Sequence, residues 1–181
     1  MKSVPFLAIL SLLSFCAQAS DPSPYVGQET RSIKSLSTKE QIDLLAGKGM
    51  GLAKAAELNG YPGPAHVLEL ALKLHLTDEQ RKKTEALFND MESKAKSLGA
   101  KLVDAERSLD VLFSTRQATH ENLTSALNEI GSLQAQLRAV HLSAHLDQTR
   151  TLSTHQITMY NKLRGYSDEK ATSGHDHQHN H

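Results

Sequence analysis

Two histidines four residues apart, His141 and His145, and a terminal stretch in which His175, His177, His179 and His181 alternate with polar residues carry the clearest chemistry of this chain. Imidazole is the commonest protein ligand for zinc, copper and nickel. On a helix, side chains at i and i+4 stack on one face, so His141 and His145 can share one ion. The terminal stretch can capture a metal without a preformed pocket, and its alternation differs from the consecutive run of a purification tag. The i,i+4 spacing alone also suits a plain interface pair. The tail and an apparent export signal, described below, tip the reading to metal.

A hairpin of two long helices is expected to position the histidine pair. Thr77-Asp78-Glu79-Gln80 has the spacing of a capping box and opens a helix running to about Phe113. Phe88, Met91, Ala95, Leu98, Leu102, Ala105, Leu109 and Leu112 recur at alternating steps of three and four, the seam of a coiled coil. At 1.5 Å per residue such a helix is about 50 Å long. A turn over 114–119 leads into a helix from His120 to about Thr149, with Leu123, Leu127, Ile130, Leu133, Leu137, Val140 and Ala144 on one face. Matching seams joined by a short turn make an antiparallel hairpin. His141 and His145 each follow a seam residue and so flank the seam. A turn centred between Arg116 and Gln117 sets position 141 opposite 92 and position 145 opposite 88. Glu92 is then the nearest carboxylate, and His66 and Glu69, on a short preceding helix over 64–74, can fold back to complete a ligand shell.

The flanks are shorter elements. Ser37-Thr38-Lys39-Glu40 caps a first helix to about Leu58, weakened by Gly47, Gly49 and Gly51 and stopped at Asn59-Gly60-Tyr61-Pro62-Gly63-Pro64. A last helix starts at Ser153 and ends before Gly165. The expected organisation is a signal peptide over 1–19, a mobile arm over 20–36, a helical segment over 37–63, a hairpin domain over 64–166 and a disordered histidine-rich tail over 167–181. Lys2, the apolar stretch 4–16 and the small-x-small site Ala17-Gln18-Ala19 form the signal and imply a bacterial periplasm. Lipidation at Cys16 is the minority alternative, because Phe15 is a poor lipobox residue. Cleavage after Ala19 removes the sole cysteine and with it any thiol ligand or disulfide. Twenty basic residues balance twenty acidic ones, which gives no basis for nucleic-acid binding. Trp is absent, and Leu and Ala dominate the apolar set, as in an all-α protein.

Leu76-Thr77-Asp78-Glu79-Gln80 and Leu152-Ser153-Thr154-His155-Gln156 share the form Leu-Thr/Ser-x-x-Gln at the two ends of the hairpin. On these motifs the chain resembles the Spy/CpxP group of periplasmic proteins, which includes zinc-resistance-associated proteins and nickel/cobalt sensors. The resemblance covers about 64–165. It implies a hooked all-α hairpin that pairs into a homodimer. It implies either heavy-metal binding for resistance, buffering or sensing, with a membrane signalling protein as partner, or a metal-independent holdase for unfolded clients. The nickel/cobalt sensors are similar in placing a His-x-x-x-Met pair before the second motif, where this chain has His141-x-x-x-His145. His66 matches one of their earlier histidines across a one-residue gap. Leu70 stands where the second would be, and Phe88 where their long-helix glutamate would be. An imidazole in place of a thioether suits zinc or copper(II) as well as nickel/cobalt.

Other chemistry is thin. Gly47-Lys48-Gly49-Met50-Gly51 lacks the P-loop spacing, and no His-Glu-x-x-His or Gly-x-Ser-x-Gly appears. Met50, Met91 and Met159 read as packing residues that do not cluster. The expectation is a non-enzymatic, all-α, exported protein that binds a divalent metal.

Overall fold

The computed structural model describes residues 22–166, so the segment 1–19 expected to be a signal peptide and the terminal histidines His175, His177, His179 and His181 lie outside the described residues. The chain divides into two compact units at Thr30/Arg31. Of the first, residues 22–30 are described, and 24–30 are turns, with the Val26 and Gln28 amides bonded to the Ser23 and Tyr25 carbonyls. Among its described residues the second holds six helices: α1 (Thr38–Leu45), α2 (Lys54–Glu57), α3 (Pro64–Glu69), α4 (Asp78–Ser114), α5 (His120–Thr151) and α6 (Thr154–Leu163). There is no strand among the described residues, and none of their helices is long and apolar enough to cross a membrane.

The long pair α4 and α5 forms the expected hairpin. The turn between them is a Schellman cap: Gln117 N–H reaches the Leu112 carbonyl (2.8 Å) and Arg116 N–H that of Phe113 (3.1 Å). Arg116 takes the left-handed conformation this cap requires, at φ 58°. Met91, Ala95, Leu102 and Ala105 from α4 are buried, as are Ile130, Leu133, Leu137 and Ala144 from α5. Each fully buried leucine of this seam contributes roughly 2 kcal/mol. Leu127 is half exposed, so the seam opens toward the turn.

The N-terminal segment lies on α4 instead of trailing from it. Gly99 is what allows the contact: a Cβ there would stand 2.1 Å from the Leu44 carbonyl oxygen, so the α1 backbone rests directly on α4. The arm expected to extend to Leu36 ends sooner. Ile33 is fully buried in the hairpin core, the Lys34 amide binds Asp110 (3.1 Å), and Ser35 donates to Glu106 (2.7 Å). A single apolar residue among polar neighbours has no periodicity to announce it.

The expected first helix is two. The α1 helix closes in a Schellman cap at Gly47, with Lys48 N–H on the Asp43 carbonyl (2.9 Å). Gly47 has φ +67°, and a Cβ would press on the Glu92 carbonyl at 3.0 Å, so glycine is required on both counts. The Asp43 carboxylate, bonded to Lys39 and Lys48, is held below the usual range by those hydrogen bonds. Loop 46–53 then leads into α2.

The two Leu-Thr/Ser-x-x-Gln motifs meet. Each is a complete capping box, on α4 through Thr77 and Gln80 and on α6 through Ser153 and Gln156. The two glutamine amides also bind each other, at 2.9 and 3.0 Å. Gln80 reaches the Thr151 carbonyl (3.0 Å) and Gln156 the Leu74 carbonyl (3.2 Å). The junction packs over Val67, Leu74, Leu152 and Tyr160 and fixes α3 and α6 to the base of the hairpin.

Candidate metal centre

A cavity of about 650 Å³ lies where loop 46–53, α2 and α3 face the base of the hairpin. His141 and His145 line it from α5, Phe88, Met91 and Glu92 from α4, and His66 and Glu69 from α3. The structure thus brings the five candidate ligands of the described chain to one cavity. Met50 and Met91 line it too, which corrects the expectation that the methionines are scattered; Met159 packs elsewhere, beside Tyr160 and Val67.

The histidine pair is buried, with His141 3 % and His145 9 % exposed. Each ring is held differently. His145 Nδ1 lies 2.8 Å from the Tyr61 carbonyl, which can only accept, so Nδ1 carries a hydrogen and Nε2 is the nitrogen left for a ligand. A carbonyl partner of this kind orients a metal-binding imidazole. The ring lies against Gly63: a Cβ there would come within 2.7 Å of Cε1 and 2.8 Å of Nε2. The Asn59–Pro64 stop therefore does more than end a helix, since it supplies both the carbonyl and the space that seat His145. His141 Nε2 is buried and has no hydrogen-bond partner. Burial, and then the neighbouring His145, push the His141 pKa below its ordinary value, which keeps the ring neutral and its lone pair available.

The remaining candidates are held less firmly. His66 Nδ1 pairs with Glu69 Oε2 at 2.9 Å on the exposed face of α3. Glu92 Oε2 pairs with Lys96 at 2.9 Å. Among the described residues no group of three His, Cys, Asp or Glu is arranged to hold a metal ion. The donors are gathered on one cavity without being closed on a common point. The donor set still fits a borderline divalent cation: two imidazoles, one with an orphaned buried nitrogen, and carboxylates and thioethers on the same cavity.

Glu57 is the residue that sequence reasoning missed. Its Oε1 accepts from Tyr160 OH (2.7 Å), Arg164 Nε (3.2 Å) and Tyr166 OH (3.2 Å). Its Oε2 is buried without a partner, 3.8 Å from His145 Nδ1. Desolvation and the bond to Glu57 push the Tyr160 phenol far above its ordinary pKa, so it serves as a fixed donor. Tyr166 arrives through another Schellman cap, with Gly165 N–H on Lys162 and Tyr166 N–H on Asn161.

A family model described as heavy-metal resistance matches residues 49–158. The chain belongs to that heavy-metal-resistance family. The match begins in loop 46–53 and runs into α6, so it spans Glu57, His66, Glu92, His141, His145 and both glutamine motifs. It agrees with the Spy/CpxP-like resemblance carried by those motifs. Comparisons with curated proteins and with solved structures give no match.

Proposed function

We propose that this heavy-metal-resistance protein binds a divalent heavy-metal cation in the cavity at the base of the hairpin, and that the occupied state serves metal buffering or sensing. His141 and His145 would hold the ion, with His66, Glu69 and Glu92 within the same cavity and the alternating terminal histidines as a scavenging arm. The observation that carries this reading is the buried, unpartnered Nε2 of His141 beside an imidazole whose own Nδ1 proton is already committed to Tyr61. An orphaned buried nitrogen is costly, at about 1–3 kcal/mol, and a cation removes the cost. Two nitrogens without a thiolate suit zinc(II), copper(II) or nickel(II). The metal would be met in the bacterial periplasm, after export on the segment 1–19, and a membrane signalling protein or a second copy of the chain would read the result.

The test is thermal unfolding with and without zinc(II), in a chain whose four terminal histidines are replaced by alanine. At a free-metal concentration a hundred times Kd, binding to the folded state alone adds about 2.7 kcal/mol. The midpoint should rise in that chain and stay fixed when His141→Ala and His145→Ala are added. The same midpoint in both refutes the site. A second reading, a metal-independent holdase, draws support from the exposed Val111, Phe113 and Leu127 around the hairpin turn. Suppression of client aggregation in excess chelator would favour it.

A further inference from the structure

Glu57 carries an asymmetry that its structural role leaves unexplained. Three donors crowd Oε1, while Oε2 faces none. The side chain is 12 % exposed, so water screens it poorly. The hydrogen on His145 Nδ1, 3.8 Å from Oε2, is given to Tyr61. A buried carboxylate oxygen without a donor is destabilising unless a cation or donor meets it. The other orphaned side-chain atom among the residues lining the same cavity is His141 Nε2, an imidazole nitrogen. One anionic oxygen and one imidazole nitrogen, both buried and both unsatisfied, call for a partner that accepts electron pairs from each. A divalent metal cation does so.

We propose that Glu57 is the carboxylate ligand of this centre, its Oε2 joining His141 and His145 on one divalent cation of the zinc(II) type. The inference rests on the metal reading above and assigns the ligand that reading lacked. Glu69 and Glu92 are weaker candidates, because Glu69 is tied to His66 and Glu92 to Lys96, and each is a third or more exposed. Glu57 is already oriented through its other oxygen, as ligating carboxylates commonly are. Tyr160, Arg164 and Tyr166 are then positioning residues. Ligation by Glu57 links the ion to α6, the element that carries Tyr160 and that the second glutamine motif opens. Closing the three side chains on an ion requires side-chain rotation, since no trio is preassembled among the described residues.

The experiment is zinc(II) calorimetry on the chain with its four terminal histidines replaced by alanine, with Glu57→Gln or Glu57→Asp added, and cobalt(II) visible spectra of the same proteins. Glu57→Gln keeps the acceptor for Tyr160 and should weaken zinc(II) by more than about tenfold and change the cobalt(II) spectrum. Glu57→Asp, which keeps the charge but withdraws it by one methylene, decides the matter should circular dichroism show the glutamine variant unfolded; it should also lose affinity. Unchanged affinity and spectrum in the folded variant overturn Glu57 as ligand. If His141→Ala/His145→Ala abolishes binding meanwhile, the histidine site survives that result. No zinc(II) binding by the parent chain overturns both.

Discussion

Replacing Gln156 by alanine should destabilise the metal-free protein by about 3–4 kcal/mol, and replacing Gln80 as well should cost about 2 kcal/mol less than the sum of the two single changes. Gln156 makes four hydrogen bonds: to Ser153 N–H (2.9 Å), to the Leu74 carbonyl (3.2 Å), and two to Gln80. Gln80 likewise makes four, with Thr77 N–H (3.1 Å), the Thr151 carbonyl (3.0 Å) and the same two to Gln156. At about 1 kcal/mol for each net hydrogen bond, either single loss removes up to about 4 kcal/mol. The double loss counts the shared pair once, so the two changes should couple by about 2 kcal/mol. Urea unfolding of the four proteins in chelator, followed by helical circular dichroism, measures this directly. Additivity within about 0.5 kcal/mol would refute the idea that the two motifs act as one joint and reduce them to independent helix caps.

Two further outcomes follow from the cavity. His141 is buried neutral with its pKa lowered, so the folded state takes up its proton later than the unfolded chain does. Its contribution is fully present above the unfolded value of about 6.5 and is lost as pH falls from there to the lowered folded value. Metal-free stability should therefore drop on acidification below about pH 6.5, and His141→Gln should flatten that limb in a series of chelator-treated melts; an unchanged limb contradicts the burial argument. Gly63→Ala places a methyl within 2.8 Å of His145 Nε2, so the ring must leave its seat. Such overpacking should cost about 1–3 kcal/mol and weaken zinc(II) binding in the same calorimetric assay; wild-type affinity would mean that His145 is not bound where it now sits.

The hairpin was legible because its signals are local. Capping boxes at Thr77 and Ser153 mark where α4 and α6 begin, and the three-four repeat from Met91 to Leu109 marks the buried face. Antiparallel counting from the turn brought Glu92 and His141 to the same cavity. What escaped depends on tertiary contact. Gly47, Gly49 and Gly51 read as a weak spot in one helix, whereas Gly47 ends α1 by holding a left-handed cap against Glu92. Ile33 is one apolar residue in a polar stretch, and only the groove beside α4 gives it a place. Glu57 looks like any surface acid in Ala-Ala-Glu-Leu. Its partners Tyr160, Arg164 and Tyr166 lie about a hundred residues away, beyond any spacing rule. The nearest hint was the firm stop at Asn59–Pro64, which turns the chain so that Tyr61 and Gly63 meet His145.

The most direct measurement is calorimetric titration of zinc(II), copper(II) and nickel(II) into the chain with His175, His177, His179 and His181 replaced by alanine, beside the same chain carrying His141→Ala and His145→Ala. The account predicts saturable binding with a defined stoichiometry in the first protein, lost in the second while its helical signal is kept. Equal binding by both, or none by the first, would contradict a metal centre in the folded hairpin and leave the cavity without its proposed occupant.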